Sequence, residues 1–155
     1  MVIGQAPGTA VHASGIPWDD KSGDRLRSWL GVSKIEFYNE QLFALIPMGF
    51  CYPGKGTSGD LPPRPECAPK WHELVLQEIT NKELILLIGN FAQKYYLKNT
   101  VKNTLTNTVK HYAEYLPTYM PLPHPSPRNN IWLKKNEWFE ALVIPELQKK
   151  IKSIC

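Results

Sequence analysis

No stretch of the 155-residue chain holds the roughly 18 consecutive apolar residues that a membrane-crossing helix needs. No basic-then-apolar signal opens it either. Cysteine is scarce, with three in all, which argues against a disulfide-stapled scaffold and makes a reducing cytoplasm the expected setting. Charge is sparse too: 21% of residues are charged against 43% hydrophobic, a balance that excludes a disordered chain. Internal repeats and low-complexity tracts are lacking. What remains is enough chain for one domain with a real core, so a single domain over residues 1–155, monomeric and away from membranes, is expected.

The charge that is present is uneven. Residues 1–97 carry nine Lys/Arg against ten Asp/Glu, whereas residues 98–155 carry nine against four. A basic C-terminal part suits a polyanion such as DNA. A solvated lysine-rich surface explains the charge better when charge is the only observation.

The most unusual stretch is Pro121-Leu122-Pro123-His124-Pro125-Ser126-Pro127-Arg128-Asn129. Four prolines hold φ near −65° and forbid a helix interior or central strand. One titratable ring, a small hydroxyl and a cation therefore sit in a stiff loop between a strand at 119–122 and a helix near Asn129. By itself the stretch reads equally well as a Pro-rich surface turn.

Four apolar runs read as strands: Met1–Ile3, Leu42–Ile46, Leu84–Ile88 and Tyr119–Leu122. A strand that starts at residue 1 is odd, and a missing N-terminal piece is the expectation. The first run breaks into the turn Gly4-Gln5-Ala6-Pro7-Gly8. A long polar loop from His12 to Gly23 follows, with Trp18, Asp19 and Asp20 in its middle; Trp18 stacks on a ligand or plugs the core. Helices are expected at 24–30, stopped by Gly31, and at 71–79, 91–97, 105–112 and 131–135. Another is expected at 138–154, its core stripe made of Phe139, Leu142, Val143, Leu147, Ile151 and Ile154 and broken at Pro145. A Gly/Pro loop spans 47–69. Strands alternating with helices argue for α/β architecture: a three-layer α/β/α arrangement around a four-stranded parallel sheet. The turns after Gly4, before Phe50 and at His124 all follow strand C-termini, where such sheets bind ligands. The Gln5 and His124 side chains are expected to share one cleft.

Gly4-Gln5-Ala6-Pro7-Gly8 together with His124-Pro125-Ser126-Pro127-Arg128-Asn129 resembles the two signature motifs of the uracil-DNA glycosylase superfamily, in order and near the two ends of the chain. Gly15-Ile16-Pro17-Trp18 resembles the Gly-x-Pro-Phe loop of its iron–sulfur branch, whose aromatic stacks on the flipped base. The resemblance implies a DNA base-excision glycosylase that flips a damaged base, uracil first, out of the duplex. His124 would donate to the developing charge on uracil O2 while held neutral. Gln5 would help hold the attacking water, and Asp20 or Asp19 would serve as general base, or simply solvate the loop. Gly4, Ala6, Trp18 and Phe50 would line the base pocket. Pro125, Ser126, Arg128 and Asn129 would grip the DNA backbone and minor groove.

Two departures bear on substrate and cofactor. Pro47 stands where many relatives carry an asparagine that reads the uracil edge, so hypoxanthine and xanthine stay open. Cys51 and Cys67, sixteen apart, resemble the last two ligands of the iron–sulfur branch, but the upstream Cys-x-x-Cys is absent. A cubane takes four thiolates. No metal and no cofactor are therefore expected for this chain; a 4Fe–4S cluster would need the upstream cysteines restored, and the two thiols read as buried and free. Two other classes stay open: a catalytically weak DNA- or damage-binding module of the same fold, and an α/β enzyme acting on small nucleotides.

Overall fold

The computed structural model describes all 155 residues. Its strands are β1 (Val2–Gly4), β2 (Leu45–Pro47), β3 (Lys55–Gly56), β4 (Gly59–Asp60), β5 (Ile85–Ile88) and β6 (Tyr119–Leu122). Its helices are α1 (Thr9–Ser14), α2 (Lys21–Leu30), α3 (Lys34–Phe37), α4 (Cys67–Glu78), α5 (Gly89–Leu97), α6 (Leu105–Lys110), α7 (Asn130–Lys135) and α8 (Ile144–Ile154). Four strands form a parallel sheet in the order β2-β1-β5-β6, and β3 and β4 pair as a small antiparallel hairpin. The expected α/β class with four parallel strands is what forms.

Alternate residues of a strand face opposite sides of its sheet. Val2 and Ile3, all of β5, and Met120 and Leu122 are buried, so both faces of the sheet are covered; that is why these strands read as unbroken apolar runs. Proline occurs only in the outer strands, Pro47 in β2 and Pro121 in β6, where a missing N–H breaks fewer ladder bonds.

The chain divides into two compact units. One contains Met1–Pro17 and Leu45–Pro123, the other Trp18–Ala44 and His124–Cys155. The core of the first is built from Ile3, Ile46, Ile85 and Leu87 of the sheet, Ala68 of α4, and Ala92 and Leu97 of α5. Each large side chain buried there contributes about 1.5–3 kcal/mol. In the second unit, α2 packs on α8. The Trp29 ring meets Phe139 edge-on at 5.0 Å, and Gly31, in the left-handed conformation at φ 69°, ends α2 against the Gln148 side chain.

Several elements depart from the sequence expectation. The second strand begins at Leu45 rather than Leu42, because Leu42 and Phe43 both donate to the Asn39 carbonyl in a turn, which keeps Phe43 buried without a strand. The long loop from His12 is partly helical: α1 covers Thr9–Ser14, and α2 starts at Lys21 because Asp20 accepts from the Gly23 N–H as its N-cap. α4 begins at Cys67, with Pro69 in its first turn, where the absent N–H has no helical partner to lose. The 47–69 loop also contains the β3–β4 hairpin. At the C-terminus a π-helical turn over Phe139–Val143 precedes α8, which restarts with Pro145 in its first turn. The buried stripe is Phe139, Val143, Leu147 and Ile151, one residue in four, and Leu142 and Ile154 are exposed. Cys51 is exposed and Cys67 partly exposed, so the two thiols are not both buried.

Candidate functional site

Within the sheet-bearing unit, the chain order of the four parallel strands reverses between β1 and β5. Such a reversal opens a crevice outside the strand C-termini, because the flanking loops diverge to opposite faces. Gln5 directly follows β1 at that point. The Gly4 carbonyl accepts from Met48 N–H at 2.9 Å and the Gln5 carbonyl from Gly49 N–H at 3.0 Å, which stitches the loop after β1 to the loop after β2. Gly4 is buried, Gln5 and Ala6 are partly exposed, and Phe50 is exposed. Three of the expected base-pocket residues, Gly4, Ala6 and Phe50, and the expected water-holding Gln5 therefore lie on this one pair of joined segments. The Gly49 backbone runs so close to Pro63 that a Cβ would lie 3.0 Å from the proline ring.

A histidine that sequence reasoning missed supports these loops. His72 of α4 is 1% exposed. Its Nε2 lies 3.0 Å from the Pro47 carbonyl, which can only accept, so Nε2 carries the proton. Its Nδ1 then accepts from the Tyr96 hydroxyl at 2.5 Å. Burial pushes the imidazole below its ordinary value and, by the same cause, pushes the Tyr96 phenol upward. The Phe50 ring stands edge-on to His72 at 5.9 Å. Nothing local could have revealed this role, since its partners lie 25 residues before and 24 after it. A second missed residue, Gln93 of α5, is fully buried and donates to the carbonyls of Leu87 and Leu122, fixing the ends of β5 and β6.

In the other unit the His124 loop is held from several directions. The Ser126 N–H donates to His124 Nδ1 at 3.2 Å, and Asn129 Nδ2 donates to the His124 carbonyl at 2.7 Å. Ser126 Oγ accepts from the Arg128 N–H, capping the short 3₁₀ turn of Pro127–Asn129. Arg25 of α2 reaches across with Nη1 on the Ser126 carbonyl at 3.1 Å and Nη2 on Asn130 Oδ1 at 2.7 Å. The Trp18 indole stacks on the His124 ring, with centroids 5.8 Å apart and planes 30° apart.

The His124 ring is half-buried rather than sealed in the core. A backbone N–H can only donate, so Nδ1 is the bare nitrogen and the neutral ring carries its proton on Nε2. Burial pushes its pKa down, partly offset by the negative charge of Asp20. The loop thus presents an uncharged N–H donor at neutral pH.

The two expected carboxylates differ. Asp19 pairs with Lys34 at 2.7 Å, and the hydrogen bond and charge of that lysine hold its carboxyl below the usual range, which weakens it as a base. Asp20 caps α2 and acts electrostatically on His124. Pro125 is buried, Ser126 and Asn129 are partly exposed, and Arg128 is exposed. No group of three or more His, Cys, Asp or Glu is placed to hold a metal ion. Cys51 and Cys67 supply two thiols where a cubane takes four, so the residues present do not fit an iron–sulfur cluster. No helix is long and apolar enough to cross a membrane. A family model described as the Uracil DNA glycosylase superfamily matches residues 1–148.

Proposed function

The chain belongs to the uracil-DNA glycosylase superfamily, and from that premise we propose that it hydrolyses the N-glycosidic bond of a damaged base, uracil first, flipped out of DNA. Family membership gives a glycosylase-type role in DNA repair in general terms. The finer reading rests chiefly on one observation: the Ser126 N–H on His124 Nδ1, which leaves a neutral imidazole with its proton on Nε2.

Breaking the bond between C1′ and the base sends the bonding pair onto the base and leaves an oxocarbenium-like sugar. A positioned neutral donor at the base oxygen stabilises that developing anion without adding a buried charge. We assign that donor to His124 Nε2–H. Water then adds to C1′ and loses its proton, giving an abasic sugar. Gln5 is assigned to holding the water, and Asp20 is favoured over Asp19 as the general base, because Asp19 is already committed to Lys34. Gly4, Ala6 and Phe50 are assigned to the base. Arg128, with its exposed guanidinium, is assigned to the duplex from which the base departed, while Pro125, Ser126 and Asn129 hold the loop that carries it.

The test is a panel of oligonucleotides bearing uracil, hypoxanthine or xanthine, scored for alkali-labile abasic sites. Cleavage at one or more lesions, slowed about 10²–10³-fold in His124→Ala, is expected. Salt-sensitive DNA binding with no abasic product from any lesion would overturn the enzymatic reading in favour of a binding module.

A further inference from the structure

Trp18 occupies a backbone conformation that costs a bulky residue energy. Its φ is 60°, in the left-handed region that side chains other than glycine rarely adopt. Two contacts hold it there. Arg27 Nη1 donates to the Trp18 carbonyl at 3.2 Å. Gly23 passes so close that a Cβ on it would overlap the same carbonyl. Arg27 is itself locked: it is 6% exposed, paired with Asp24 at 2.6 Å, with its guanidinium over the Phe37 ring at 5.4 Å and the Tyr38 ring at 5.9 Å. The outcome of this arrangement is the indole laid on the His124 ring.

We propose that Trp18 is a positioning residue for His124, that α2 holds it in place through Arg27 and Gly23, and that its stacking keeps the imidazole in the Nε2–H orientation. This goes beyond the base-stacking role that the family resemblance gives to the aromatic, and it rests on the glycosylase reading for its kinetic arm only. A strained backbone held by a buried guanidinium is a sensible way to aim a ring, because a flexible loop would let it rotate. Arg25, from the same helix, holds the far side of the loop through the Ser126 carbonyl. The charge acting on the ring is that of Asp20, which favours the imidazolium, while Arg25 is engaged with the Ser126 carbonyl.

The experiment compares the unaltered protein with Trp18→Phe, Trp18→Ala and Arg27→Met. Three quantities are measured: the nitrogen shifts of the His124 imidazole in free protein, the pH dependence of single-turnover excision from the lesion it processes, and the substrate affinity from the dependence of that rate on protein concentration. In Trp18→Ala and Arg27→Met, His124 is expected to lose its single Nε2–H tautomer. The excision rate should fall by roughly tenfold to a hundredfold, the size of effect that misplacing a reacting group produces. Substrate affinity should change little, and the acid limb should move toward the ordinary histidine value as the ring gains water. Trp18→Phe should restore all three. Should Arg27→Met fail to fold, the two Trp18 variants decide alone. An unchanged tautomer and acid limb in Trp18→Ala, with only substrate affinity weakened, would overturn the proposal and leave Trp18 as a base platform. The imidazole measurement needs no turnover, so failure of every lesion to react would sink the glycosylase reading and leave this test standing.

Discussion

His72 and His124 are the same side chain in two settings, and the difference is one hydrogen bond. Both are neutral because burial disfavours the imidazolium, and in both Nδ1 accepts while Nε2 bears the proton. At His72 that proton is given to the Pro47 carbonyl, so the ring is satisfied on both sides, fully enclosed, and structural. At His124 the bond at Nδ1 orients the ring, and Nε2–H is the donor to which the proposed chemistry is assigned. Burial alone therefore does not distinguish the two rings; the count of occupied ring nitrogens does.

The comparison breaks first at His124. Replacing it by alanine should cost about 10²–10³ in excision rate, the size seen when a transition-state donor is removed, with a melting temperature close to the parent's. The converse holds for His72→Ala. Urea unfolding should show a loss of about 2–4 kcal/mol, because the change opens a cavity and strands the Tyr96 hydroxyl and the Pro47 carbonyl in the interior. Excision per folded molecule should suffer far less.

A pH titration treats the two together. Each folded pKa lies below the unfolded histidine value of about 6.5. Above that pH neither state takes up the proton, and stability should be flat with respect to these groups. As pH falls below it, the unfolded chain binds protons that the native rings refuse, so stability should decline until the depressed pKa values are passed. Excision should follow an acid limb in the same region, set by His124. If His72→Gln removes none of the stability slope below pH 6.5, the burial of that ring has been misread.

Finer tests follow. Tyr96→Phe removes one donor to His72 and should cost about 0.5–1.5 kcal/mol with the excision rate unchanged. Asp20→Asn keeps an N-cap for α2 while deleting the charge that favours the His124 imidazolium, so the acid limb should shift to lower pH. Asp19→Asn should leave the excision rate nearly as it was.

Much of this could be read from particular residues. Ile85–Ile88 forms a strand because a run of β-branched and leucine side chains, buried on both faces, has no other economical conformation at that length. His124 drew notice because prolines on both sides leave its loop few shapes. Leu42 and Leu142 misled for a shared reason. Apolarity marks a tendency to be buried, and a turn at Asn39 and a π-helical turn at Phe139 each shifted which residues the core received. Arg25, Arg27, His72 and Gln93 were silent, because each acts on a carbonyl or ring whose position depends on the fold.

The residues by themselves determined the α/β class, the parallel strands and the two motif loops, because periodicity and proline act over neighbours a few positions apart. Only the tertiary structure decided which nitrogen of each histidine bears a proton, which aspartate is already engaged, and what lies on the face of Trp18. Those outcomes depend on hydrogen bonds and ring contacts between segments distant along the chain, and no local pattern encodes them.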